Sequence, residues 1–451
     1  MRFIGRIPIA FWAASSALAQ NASELQQILD RLQRIEQQNQ QLVSEVQTLR
    51  RELAEFRSQP AASGTTVADT QSAPLPERIE VQERRTEELA QSKVESEHRL
   101  PVQLTGMLLF NTFWNGKYAG TEMVPRVASL NPGPGGVGAT FRQSILGLKF
   151  QGPSLFANGK VSGSVLMDFY GGSGDTLSQY VRLRIATIDL DWKRTTLSVA
   201  HDKPLISPRE PDSLAKVGVS PLTAAGNLWF WQPQIRGEHR FLLGDSAGLR
   251  LQAAMYMTNE STTGVPEYLL DTVPSMRPAF QSRVEFWKEG AGRRLEIASG
   301  VHVSNSRIGG VSVPSRAYSV DWLIRPWANL DFTGTFFTGK NTSVMGALRP
   351  GITFYSDGRM QPVSGMGGWG QLTWRATPRM SFNIYGGQQS NASADLLSGA
   401  PKRNLSYAAN VMYKLTSNVV TSFEATQIRT TYIGSGTRIV PHYDLALAYL
   451  F

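Results

Sequence analysis

The chain has 451 residues, is 41% hydrophobic, contains no cysteine and carries a formal net charge of +9. Disulfides are therefore excluded. With mean hydropathy −0.21 and no later run of roughly 18 apolar residues, so is a membrane-spanning helix.

Residues 1–19 read as a secretory signal: Arg2 and Arg6 precede an apolar stretch, Ile7 to Leu18, and Ala17-Leu18-Ala19 offers a cleavage site. An exported chain without a spanning helix crosses a membrane only as a closed barrel.

Residues 20–57 carry a heptad repeat. Leu25, Leu32, Asn39, Val46 and Leu53 hold one seam position; Ile28, Ile35, Leu42, Leu49 and Phe56 hold the other. This spacing predicts a left-handed coiled coil of unspecified strand number, with Asn39 setting register. Residues 58–100 read as a polar linker followed by a charged helical spacer. Acids and bases interleave there, so no basic stripe for nucleic acid forms.

Residues 101–451 change to short alternating segments, the pattern of an all-β membrane protein. Sixteen strands are predicted, near 102–114, 140–150, 159–170, 180–191, 196–202, 229–243, 249–259, 279–288, 294–304, 315–325, 329–338, 368–375, 379–388, 403–414, 419–428 and 440–451. Short connections such as 193–195, 244–248, 326–328 and 415–418 alternate with long ones at 115–139, 203–228, 260–278, 339–367 and 389–402. That alternation is the layout of a 16-stranded antiparallel transmembrane β-barrel, and an even count puts both ends on the short-turn rim. In the last strand Tyr443, Leu445, Leu447, Tyr449 and Phe451 share one face, and His442, Asp444, Ala446 and Ala448 the other. Strand 180–191 changes parity past Ala186, as a bulge would make it do.

Motifs of catalysis find no support in their context. GDSAG (244–248) lies between two strands without the strand-to-helix elbow of a nucleophile, GPGGVG (133–138) has no helix after it, and His201-Asp202 is half a triad. Five His occur without metal-ligand spacing. No catalytic residue, metal or cofactor is expected.

Charge is more informative. Residues 1–99 carry 12 Lys/Arg against 14 Asp/Glu, a net of −2, which leaves +11 for the rest. A basic side chain at a lipid midplane costs about 2–4 kcal/mol, so these cations belong in the lumen, loops or rims. The pore-lining candidates are Arg142, Arg182, Arg184, Arg236, Arg250 and Arg283, which as a ring of fixed positive charge would favour anions. The connection 203–228 is too long for a simple hairpin loop. It carries Lys203, Arg209 and Lys216 against Glu210 and Asp212.

A coiled coil ahead of a barrel resembles the DcaP-like trimeric outer-membrane porins. So do RQSILGLKF (142–150), KVSGSVLMDFYGG (160–172), VRLRIATIDLDW (181–192), GNLWFWQPQIR (226–236) and the terminal Phe451. Ile185 and Thr187 depart from the His and Tyr that family members tend to carry, and Ala200-His201 from Gly-Gln. The resemblance implies a homotrimer in the outer membrane of a Gram-negative bacterium, amid lipid and lipopolysaccharide, with the N-terminal segment in the periplasm. It also implies one pore per protomer narrowed by the 203–228 loop, recognition of the Phe451 strand by the barrel-assembly machinery, and passage of small anions such as dicarboxylates. Phosphate-selective porins of the O/P type have a similar barrel, and a structural tether to the cell wall is a reading of another class.

Overall fold

The computed structural model describes residues 102–172, 179–260 and 264–451. The segments expected to be a signal peptide (1–19), a coiled coil (20–57) and a linker with spacer (58–100) lie outside the described residues.

The described chain is a closed antiparallel barrel of sixteen strands. These are β1 (Val102–Asn115), β2 in two pieces (Gly136–Thr140 and Ile145–Leu155), β3 (Gly159–Gly171), β4 (Tyr180–Asp191), β5 (Thr195–Asp202), β6 (Gln232–Leu242), β7 (Ala247–Thr258), β8 (Arg277–Gly290), β9 (Arg293–Ile308), β10 (Val311–Trp327), β11 (Leu330–Lys340), β12 (Ser364–Arg375), β13 (Met380–Asn391), β14 (Pro401–Lys414), β15 (Val419–Tyr432) and β16 (Gly436–Leu450). Closure comes from β1 on β16, Met107 opposite Leu450 through Asn115 opposite His442.

The two faces of each strand explain why the sheet closes. On β16, Tyr443, Leu445, Leu447, Tyr449 and Phe451 are 39–54% exposed, while His442, Asp444, Ala446 and Ala448 are at most 3% exposed. The same alternation sets Phe280, Val284 and Phe286 outside against Gln281, Arg283 and Glu285 inside. Aromatic pairs such as Trp374 with Phe382 and Trp114 with Tyr443 stand on the outer wall. An apolar outer band around a polar interior is stable against lipid, and closure leaves no unpaired strand edge.

The predicted strands are present, with three corrections. Trp229, Phe230 and Trp231 do not open β6; β6 begins at Gln232, and these rings pack inside the barrel. Their apolar run mimics a strand, but Trp229 N and Phe230 N donate to the Met345 carbonyl of another connection. Strands β9 and β10 run past the predicted bounds 294–304 and 315–325 to a two-residue turn at Gly309-Gly310, both with positive φ (54° and 81°). Likewise β15 and β16 continue to a turn over 433–435. The GDSAG segment is the β6–β7 turn running into β7.

Two irregularities shape the interior. Between Leu166/Ile185 and Met167/Leu183 the β3–β4 register gains one residue, Arg184. This bulge is the parity change seen in the sequence, and it turns both Arg182 and Arg184 inward. At Phe141–Ser144 the ladder of β2 is interrupted. There the Ser144 hydroxyl receives the Leu109 N–H (3.0 Å) and donates to the Leu109 carbonyl (3.3 Å), replacing backbone bonds.

Candidate functional site

The connection 203–231 leaves the rim after β5 and runs along the inner wall almost all the way round. Leu205 N donates to the Tyr256 hydroxyl on β7 (2.5 Å), and Ile206 N to Gln281 on β8 (3.3 Å). Arg209 then reaches Glu296 on β9 and Asp321 on β10 (3.3 Å). Gln371 on β12 both accepts from Asp212 N and donates to its carboxylate, each at 2.7 Å. Ser213 donates to Glu424 on β15 (2.6 Å), and Asn111 on β1 donates to the Leu214 carbonyl (2.9 Å). Gln143 completes the circuit, its amide donating to Ala215 O (2.9 Å) and its oxygen accepting from Val217 N and Gly218 N (both 2.8 Å).

The loop groups named in this run meet complementary wall groups, so their buried donors and acceptors are satisfied without secondary structure. Pro204, Pro208, Pro211 and Pro221 remove donors and restrict the backbone. The return segment packs Leu222 and Ala225 against Trp369, Tyr385 and Ala408. It also joins Leu228 to Val344 and Met345 of the 341–363 connection.

The predicted cations are all inward, and five of the six meet a carboxylate. Arg182 and Arg184 share Asp168, at 2.6 and 2.8 Å, and donate onward to Gly218 O (2.6 Å) and Val217 O (2.7 Å). The Trp231 ring lies against both guanidinium groups, 5.1 and 4.7 Å from its centroid. Arg142 is buried over Tyr170 and donates to Gly171 O (2.9 Å). Arg236 pairs with Asp202 (2.8 Å) and Arg250 with Glu285 (3.1 Å). Arg283 is held by Asp321 (2.8 Å) and Glu285 (2.6 Å). The uncompensated positive ring expected from sequence is thus not formed at this level. The carboxylates of Asp168, Asp202, Glu285 and Asp321 pair with five of the six arginines, and Arg142 donates to the Phe169 and Gly171 carbonyls. Two of these carboxylates were visible as inward by parity, since Glu285 lies two residues from Arg283 and Asp321 alternates with Tyr318 and Trp322.

Within the loop, Lys203 pairs with Glu210 (2.6 Å), which also accepts from Ser220 (2.6 Å). Burial acts to raise the Glu210 pKa, but Lys203, Ser220 and Arg184 outweigh it and hold the carboxyl below its ordinary range. Burial lowers the Lys216 pKa, with Glu424 and Asp444 opposing that effect.

On the short-turn side of the loop, Asp212, Ser213 and Leu214 form the ceiling of a cavity of about 750 Å³. Its wall includes Arg375, Arg379 and Lys414. Arg375 and Arg325 both bind Asp331, so basic groups outnumber carboxylates around this mouth.

Phe451 stands outward beside Tyr449, with ring centroids 6.3 Å apart. Its N–H bonds to the Gly106 carbonyl (3.2 Å) and its carbonyl accepts from Gly106 N (2.9 Å). A side chain at Gly106 would strike the Phe451 ring, 2.7 Å from a built Cβ.

The barrel fold is shared with solved structures. The outer membrane channel DcaP of Acinetobacter baumannii superposes with a TM-score of 0.61 at 15% identity, covering 78% of this chain and 97% of that one. The fold is that of the outer-membrane porins. OprB of Pseudomonas putida has this porin fold too (TM-score 0.51, 9% identity, 78% of this chain, 94% of that one). So does an anion-selective porin from Comamonas acidovorans (TM-score 0.50, 10% identity, 78% and 99%). The sequence matches no protein-family model and no curated protein.

Proposed function

We propose that the protein is a passive outer-membrane channel for small hydrophilic solutes, preferring anions such as dicarboxylates. The observation that carries this reading is the polar lumen narrowed by the 203–231 loop inside a lipid-facing wall. Matched charges at the loop make that level nearly neutral, so the preference is assigned to the short-turn mouth, where Arg375, Arg379 and Lys414 gather. Fixed charge in a narrow aqueous space raises the local concentration of the opposite ion. The Debye length near 8 Å at physiological salt leaves such a cluster effective across a mouth of this size.

On this reading the short-turn rim faces the periplasm, where the 20–57 segment would lie. The protein acts as a homotrimer, the barrel-assembly machinery takes up the Phe451 strand, and no cofactor takes part. Liposome swelling tests it. Entry of succinate faster than an uncharged solute of equal size, with a diamine slowest, is expected. Equal rates for all three would remove the anion preference, and a marked excess for phosphate over succinate would favour the phosphate-selective class.

A further inference from the structure

The outer wall over β10–β14 carries a feature that a conduction pathway does not need. Register sets Gly334 opposite Gly370, and Gly370 opposite Gly386. Trp322 opposes Gly334 on one side and Tyr407 opposes Gly386 on the other. The Trp322 ring leans over Gly334, where a built Cβ would lie 2.5 Å from it. Between the two rings the row has no side chain, and a groove of about 460 Å³ opens there, bordered also by Phe336 and Met366. The Trp322 Nε1 at its edge is buried and has no acceptor among the described residues.

Towards the long-loop rim, Arg316 on β10 stands directly opposite Lys340 on β11, both outward and exposed. Like charges on facing positions of a sheet repel, and neither has an ion pair among the described residues. Beyond the groove Arg403 stands opposite Ser390, and Arg429 lies against the Tyr407 hydroxyl (3.0 Å). Every Asp and Glu of the described strands has the inward parity, so the wall itself supplies no carboxylate to these cations.

We propose that this face binds a phosphorylated glycolipid of the outer leaflet, with one acyl chain along Gly370 and Gly386. Its phosphates lie between Arg316 and Lys340, with Arg403 and Arg429 completing the polar contact. Phosphate converts a repulsive pair into two charge-assisted contacts, and the chain fills the space left by the glycines. A second copy of this chain fits less well, because its outer strand faces offer no acid to the four cations. The inference depends on the barrel lying in a membrane but not on what it conducts.

The experiment uses the full chain in detergent with bisphosphorylated hexa-acyl lipid A as probe, and native mass spectrometry to count retained lipid. One lipid A per chain is expected, surviving a tenfold excess of phosphatidylglycerol. Changing both Arg316→Gln and Lys340→Gln should lower retention at least tenfold. Gly370→Leu should do the same with every cation in place; that site admits a side chain, its nearest neighbour being a Phe332 ring carbon 3.7 Å from a built Cβ. Retention of the heat-modifiable band shows that the variants fold, and Arg403→Gln with Arg429→Gln serves if either does not. Undiminished retention in the variants, displacement by millimolar inorganic phosphate, or equal competition by phosphatidylglycerol overturns the proposal. Failure of the unmodified protein to retain lipid A, with Gly370→Leu splitting an oligomer, would also overturn it and make the face a subunit contact.

Discussion

Arg184 donates to Asp168 at 2.8 Å because a one-residue bulge in β4 turns its side chain into the lumen beside Arg182. The same guanidinium nitrogen reaches the Val217 carbonyl at 2.7 Å. The wall cluster is therefore a latch for the loop as well as a charge. Replacing Arg182 and Arg184 together by Ser leaves Asp168 unmatched and frees the carbonyls of Val217 and Gly218. Single-channel recording should show a larger, noisier conductance and a shift towards cations. Asp168→Asn should shift selectivity the other way. Unchanged traces from both variants would contradict the latch.

Arg283 is a stability element. It is buried and held by two carboxylates. Removing one partner of such a cluster costs about 3–5 kcal/mol, because the remaining charges stay buried and unpaired. Arg283→Met should therefore lower the temperature at which the folded band converts to the unfolded one in heat-modifiability gels. Arg379→Ser, at the mouth, should leave that temperature unchanged while reducing anion preference.

Acid should loosen the loop. The Glu210 carboxyl titrates below its ordinary range, so its stabilisation is complete above the unfolded glutamate value and is lost as pH falls through the depressed one. Conductance fluctuations should grow below about pH 4, and Glu210→Gln should reproduce them at neutral pH. Quiet traces under both conditions would show that Lys203 and Ser220 do not hold the loop through Glu210.

Phe451 and Leu450 are sequence neighbours with different surroundings. Phe451 lies on the lipid side beside Tyr449, whereas Leu450 borders the short-turn cavity. Phe451→Ser should sharply reduce the yield of folded barrel in the membrane, and Leu450→Ser should not. Equal yields of heat-modifiable protein would refute the assignment.

The barrel was legible because a period-two pattern writes both faces of a strand into the sequence, as in Tyr318, Val320 and Trp322 against Ser319 and Asp321. It was illegible where apolar residues serve the interior: Trp229 and Phe230 pack on a second inward connection and Trp231 on Arg182 and Arg184, which no local pattern announces. The arginines were readable as inward, but their neutralisation was not. Asp168 meets Arg184 only through the register of two strands and a bulge, and Gln143 meets the loop only because β2 breaks there. Such pairings are set by tertiary geometry, which spacing along one chain does not encode.

The proposed function requires that this barrel conduct ions past the 203–231 loop with a preference for anions. The most direct measurement is the reversal potential of the unmodified protein in a planar bilayer under a potassium chloride gradient. Conduction is expected with a potential displaced towards the chloride equilibrium value, the displacement shrinking as both salt concentrations rise. A displacement towards the potassium value, or no conductance from folded protein, would contradict it.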